Sequence, residues 1–156
     1  AVVTSRAKNY TKEDFGLHHP AGALGKKLLV KVKDVMHTGE DNAVILQGSS
    51  LRNAIIEMST KGLSMVTITD EQDQLRGIIT DGDLRRMLER GVDVYHECVD
   101  HVTTNTPKWI DHREMAVNAL QVMSDLKITG MPVLDETHKI VGSVLMQDIF
   151  KAGIVR

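Results

Sequence analysis

Shifted by 65 residues, the chain falls on itself. Asn53, Ala54, Met58, Ser59, Asp70, Glu71, Gly77 and Asp83 meet Asn118, Ala119, Met123, Ser124, Asp135, Glu136, Gly142 and Asp148. Two copies of one small unit therefore stand in tandem. A unit of about 60 residues buries too little of its surface to be stable alone. The copies are expected to pack together, and the seam between pseudo-symmetric units is where a ligand can sit.

Composition restricts what such a pair can do. At 42% hydrophobic residues the 156-residue chain can build a core, and with aromatics at only 3% that core must be Ile, Val, Leu and Met. The formal charge of −2 supplies no positive field for a phosphate backbone, and no aromatic platform for bases is evident, so nucleic acid is not an expected partner. Cys98 is the single cysteine, which excludes an internal disulfide and a thiolate metal cluster and fits a reducing cytoplasm. The seven histidines include no pair spaced four apart on a helix, so no metal site is expected. No stretch of 18 apolar residues and no basic-then-apolar N-terminal run occurs, so neither a membrane span nor a leader is expected.

Residues 1–30 belong to neither copy. Thr11 to Asp14 reads as a helix start, and His18 to Gly25 as a loop-forming stretch. The first repeat opens with Val32 to Met36 and a strand over Ala43 to Leu46. A helix follows, capped by Ser49 or Ser50, carrying Leu51, Ala54, Ile55 and Met58, and stopped by Gly62. Leu63 to Thr69 and Leu75 to Ile79 read as strands across the polar turn at Asp70 to Asp73, and Asp81 to Arg90 as a helix closed by Gly91. The second repeat gives the same order: a strand at Trp109 and Ile110, a helix with Met115, Ala119, Leu120 and Met123, strands at Met131 to Leu134 and Ile140 to Leu145, and a helix over Met146 to Ala152. Met58, Met115 and Met123 are expected in the core. The predicted fold is α+β, two β-α-β-β-α repeats packed about a pseudo-two-fold, with residues 92–107 joining them rigidly.

The stretch Gly77 to Leu84, echoed by Gly142 to Ile149, resembles the end of a CBS domain, the module named after cystathionine β-synthase. Asp34-Val35-Met36 and Gly130-Met131-Pro132-Val133 support the resemblance, which covers residues 32–153. Phe15 to Leu29 looks like the junction of arabinose-5-phosphate isomerases, where a sugar-isomerase domain ends and a CBS pair begins. Met36 to Gly39 and Thr80 to Arg86 extend the match. The domains implied are the isomerase tail at 1–30, one CBS repeat at 31–91, and linker plus second repeat at 92–156. That family interconverts ribulose 5-phosphate and arabinose 5-phosphate on the way to Kdo of lipopolysaccharide and some capsules. His19 matches its active-site histidine, whereas the lysine, the glutamates and the phosphate-binding core of the isomerase domain have no counterpart here. The chain is expected to be inactive as an isomerase and to require no cofactor.

Thr80 and Asp83 are the foremost ligand candidates. On the first turn of a helix, Asp83 can accept both hydroxyls of a ribose while Thr80 and free N–H groups face an anion, or the two residues can simply cap the helix. The resemblance assigns the first role. Arg85 and Arg86 can hold a phosphate or sugar carboxylate, or form a solvated face. By resemblance, Met36, His37 and Thr38 border the base or sugar, though they can equally form an ordinary turn, and Met131 and Pro132 mark the matching strand. Asp148 repeats Asp83, but Leu145 replaces the threonine and Met146-Gln147 replace Asp-Gly, so half of the polar set is gone: one competent site is expected, and Asp148 reads as a helix cap or a ligand contact. Two readings stand: a regulatory pair binding a nucleotide or nucleotide-sugar such as CMP-Kdo beside the isomerase domain, and a ligand-free module that dimerises through Leu84, Met87, Leu88, Ile149 and Phe150.

Overall fold

Each repeat runs strand, helix, strand, strand, helix in the computed structural model, which describes residues 25, 28–104 and 106–154. A single helical turn, α1 (Val32–Val35), comes first. The first repeat is β1 (Val44–Leu46), α2 (Leu51–Lys61), β2 (Met65–Thr69), β3 (Leu75–Thr80) and α3 (Asp81–Glu89). The second is β4 (Ile110–Asp111), α4 (Ala116–Leu126), β5 (Gly130–Leu134), β6 (Ile140–Leu145) and α5 (Met146–Lys151). Short 3-10 turns at Gly39–Asp41 and Val99–His101 precede β1 and β4. His19 and the segment 1–24 lie outside the described residues, as do the helix start expected there and most of the junction expected at 15–29.

Local chemistry accounts for the elements. Ser50 takes the cap of α2, its hydroxyl accepting the Asn53 N–H at 3.1 Å, and Gly62 ends the helix in the left-handed region at φ 67°. Leu51, Ala54 and Met58 bury one stripe of that helix, and Ala116, Ala119, Leu120 and Met123 do the same for α4. Met115 departs from the core expectation: it precedes α4 as the cap residue and is only half-buried.

The hairpin turns repeat atom for atom. Asp70 Oδ1 accepts the N–H groups of Gln72 and Gln74, each at 2.9 Å, and Asp135 Oδ1 accepts those of Thr137 and Lys139 at 2.8 and 3.0 Å. Hydrogen bonds to the ionised form hold both carboxyls below their ordinary value: from the Gln74 N–H above all for Asp70, with help from Arg76, and from the Thr137 hydroxyl above all for Asp135.

Among the described residues the strands form two three-stranded sheets, β1-β2-β3 and β4-β5-β6, with the first pair parallel and the second antiparallel in each. Even the register irregularity recurs 65 residues on, at Ile68/Thr69 and Val133/Leu134.

The repeats exchange their leading segments. His37 pairs with Ser143 on the free edge of β6, and Thr104 pairs with Ile78 on the free edge of β3. Val32 N–H donates to Glu114 O at 2.8 Å, and its side chain is fully buried in the second core with Ile110, Ala116 and Ile149. Conversely Val99 is fully buried in the first core, with Val92, Val94 and Val102 packed beside it. Each leading segment thus covers an edge that would otherwise invite pairing with another chain.

Glycines make the exchange possible. A Cβ on Gly142 would stand 2.5 Å from His37 O, and one on Gly77 would meet Thr103 Oγ1 and stand 2.8 Å from Thr104 O. Across the seam, Met65 Sδ fills the space that a side chain on Gly130 would take, at 2.9 Å, and Leu145 joins the first core cluster.

Candidate functional site

Thr80 closes β3 and caps α3 with a reciprocal pair of bonds. Its hydroxyl accepts the Asp83 N–H at 3.2 Å, and Asp83 Oδ2 accepts the Thr80 N–H at 2.9 Å. The second oxygen of Asp83 takes the guanidinium of Arg86 at 2.6 Å, with the arginine side chain 61% exposed. A ligand hydroxyl can therefore reach this carboxylate by displacing a solvated arginine, with the cap left in place.

A cavity of about 560 Å³ opens in front of this turn, between the two repeats. Its floor is apolar: Met65, Ile78, Ile128, Gly130 and Leu145. The leading segment of the second repeat forms one wall through Thr104, Thr106, Pro107 and Lys108, and the end of α4 another through Leu126, Lys127 and Thr129. Arg85, Arg86, Lys108 and Lys127 line it together with Asp81 and Asp83, so cationic groups outnumber carboxylates. Such a lining suits a ligand with a flat apolar part and an anionic part.

Of the residues singled out in the sequence, Thr80, Asp83, Arg85 and Arg86 line this cavity together. Met36, His37 and Thr38 do not. Met36 packs in the second core, His37 pairs on β6, and Thr38 is exposed ahead of the 3-10 turn. Met131 is fully buried in the second core, with Pro132 buried on the same strand. Asp148 holds the pseudo-equivalent place to Asp83, but His37 Nε2 lies 3.0 and 2.9 Å from its two oxygens.

Thr104, Lys108 and Lys127 escaped the sequence reading. Lys127 carried a usable signal: it stands where the first repeat has Gly62 and shares the left-handed backbone, φ 58° against 67°. A side chain in that region costs about 1 kcal/mol or more, and here it places an ammonium at the cavity.

Two three-stranded α+β units related by a pseudo-two-fold, with exchanged leading segments and a cavity at the seam, define a CBS pair. The CBS domain family matches residues 32–90 and 99–154, and the chain belongs to it. Over 155 residues it is 44% identical to the arabinose 5-phosphate isomerase KdsD of Pseudomonas aeruginosa, covering 99% of this chain and 48% of that protein. It is 41% identical to KdsD of Escherichia coli K12, over 99% of this chain and 47% of that protein. The chain thus spans about half the length of the curated relatives it matches. Among solved structures, the CBS domain pair of MJ0100 in complex with 5′-methylthioadenosine and S-adenosyl-L-methionine has TM-score 0.71 at 24% identity, covering 79% of this chain and 94% of that one. CBSX2 in complex with AMP has TM-score 0.67 at 19% identity, covering 80% and 96%. These two likenesses concern the fold.

Proposed function

We propose that this chain is the regulatory CBS pair of a cytoplasmic arabinose-5-phosphate isomerase of Kdo biosynthesis, and that a nucleotide or nucleotide-sugar such as CMP-Kdo binds in the seam cavity. The reading rests on the 41–44% identity to KdsD isomerases and on one observation of the site. The capped carboxylate of Asp83 faces a cavity of about 560 Å³ whose rim carries Arg85, Arg86, Lys108 and Lys127. The apolar floor accepts a base, Asp83 the ribose hydroxyls in place of Arg86, and the cations a phosphate or sugar carboxylate. CBSX2 in complex with AMP, and the MJ0100 pair in complex with 5′-methylthioadenosine and S-adenosyl-L-methionine, support a nucleoside ligand for a protein of this fold. The isomerase activity itself belongs to a domain preceding residue 30 on the same chain, in lipopolysaccharide or capsule synthesis.

Thermal unfolding with CMP-Kdo, CMP, CTP, AMP, ATP and arabinose 5-phosphate tests the reading. A ligand of the folded state adds about 2.7 kcal/mol at a hundredfold excess over its Kd. A shift with CMP-Kdo alone supports feedback by the activated sugar, and a shift with adenine nucleotides an energy sensor. No shift with any of them discards the reading. Turnover of ribulose 5-phosphate by the 156-residue chain would overturn its assignment as a non-catalytic part.

A second reading, homodimerisation through the helices, is favoured by Leu88 and Phe150, 62% and 45% exposed. Met87 and Ile149, which the sequence placed on that same surface, are instead buried in the two cores. Asp83→Ala separates the readings, because it abolishes ligand binding and leaves assembly intact.

A further inference from the structure

The two halves treat their equivalent carboxylates differently: Asp83 is bonded to Arg86 of its own helix, and Asp148 to His37 of a leading segment. Ile78 and Ser143 are 65 residues apart, the spacing of the repeat, and their bridge partners are Thr104 and His37. Positions 104 and 37 are therefore structural equivalents, each held to its sheet edge by a reciprocal pair of backbone hydrogen bonds. These are 3.1 and 3.3 Å for Thr104 with Ile78, and 2.8 and 3.1 Å for His37 with Ser143.

From position 37 the imidazole reaches across to α5 and donates through Nε2, 3.0 and 2.9 Å from the two oxygens of Asp148. The Leu145 N–H donates to the same carboxylate at 3.0 Å, and the side chain retains 10% exposure. Both oxygens of Asp148 thus accept from within the protein, and the imidazole lying on them is itself only 28% exposed, against 61% for the arginine on Asp83. From position 104 the side chain ends at its γ atoms, short of the ε position that carries the imidazole donor. Among the described residues Asp83 takes no hydrogen bond from the leading segment, and the seam cavity occupies the intervening space.

We propose that the residue at positions 37 and 104 decides which of the two pseudo-equivalent carboxylates is open: His37 is a built-in plug that seals Asp148, and Thr104 keeps the Asp83 cavity accessible. The plug also ties the segment that enters the module to the second repeat, since His37 follows α1 and α5 follows β6. The ligand arm of this inference rests on the nucleotide reading above, whereas the plug itself does not.

Two experiments on the 156-residue chain test it. Thr104→His installs the plug at the open site. CMP and AMP titrated into that variant are expected to bind at least tenfold more weakly than to the unaltered chain, and the introduced imidazole to show the ¹⁵N shifts of a nitrogen bonded to a carboxylate, lost again when Asp83→Asn is added. Unchanged affinity with a solvated imidazole would overturn the role of Thr104. Position 104 is exposed, so the larger residue is compatible with folding. Independently, His37→Thr and Asp148→Asn are combined in a double-mutant cycle read by thermal unfolding. The two are expected to be strongly non-additive, and additive losses would sink the plug. If the unaltered chain binds neither CMP nor AMP, CMP-Kdo takes their place in the titration; if it binds none of the ligands named above, the nucleotide reading fails while the cycle and the imidazole shifts still decide the plug.

Discussion

Gly77 and Gly142 sit where a leading strand crosses a sheet edge at backbone contact, and neither has an unusual φ. Their role is room, and room can be measured. Gly142→Ala pushes a methyl against His37 O, a backbone atom that cannot swing aside, so about 2–3 kcal/mol of stability should disappear in urea unfolding. A change under about 0.5 kcal/mol would show that the exchanged segment shifts freely.

The turn aspartates give a second residue-scale prediction. Asp70 and Asp135 have pKa values lowered on folding, by the Gln74 N–H and the Thr137 hydroxyl first. Their contribution is fully present above the unfolded value of about 4 and disappears as pH falls through the lowered one. The double variant Asp70→Asn, Asp135→Asn should lose less stability than the parent between about pH 5 and pH 2. Identical acid slopes in urea midpoints would refute the assignment.

Among the elements, α2 and α3 carry the same kind of cap for different ends. Ser50→Ala removes one bond to the Asn53 N–H and should cost about 1 kcal/mol, with ligand response unchanged. Thr80→Ala removes the equivalent bond to Asp83 at a similar cost and loosens the carboxylate that faces the cavity, so it should also weaken nucleotide binding. Thermal unfolding of both variants with and without CMP measures the two effects separately. If Thr80→Ala lowers stability and leaves the CMP shift intact, its role is capping alone. The element order was legible from apolar spacing and from Gly62, Gly91 and Gly153, because α2, α3 and α5 each end at or beside a glycine whose backbone turns left-handed. Met115 misled because the helical spacing of apolar residues runs on into the cap position, where the side chain is only half-buried.

For the whole molecule the prediction is stoichiometric. With Asp148 sealed, titration calorimetry should find one nucleotide per chain, and two equivalent sites would contradict the sealed geometry. The cavity combines Thr80, Arg85 and Arg86 from one repeat, Lys127 and Leu145 from the other, and Thr104 and Lys108 from the segment between them. Only part of that set was legible: Thr80 to Arg86 form one local motif, whereas Lys108 and Lys127 reach the site through the docking of the halves.

The sequence by itself determined the duplication, the strand and helix order of the repeats and the turn aspartates, since each depends on interactions within a few residues. It also determined that the second half had lost part of the polar set, with Leu145 and Met146 standing where the first has Thr80 and Asp81. Only the tertiary structure decided that Val32 packs in the core of the repeat it does not lead, and that Gly77 and Gly142 are crossing points. It alone decided that His37 lies on Asp148, 111 residues away. Those contacts depend on which sheet edge each leading segment covers. An edge is a row of unpaired backbone groups that looks alike in both repeats, so local pattern does not choose between them. The choice falls to the packing of the two cores against each other.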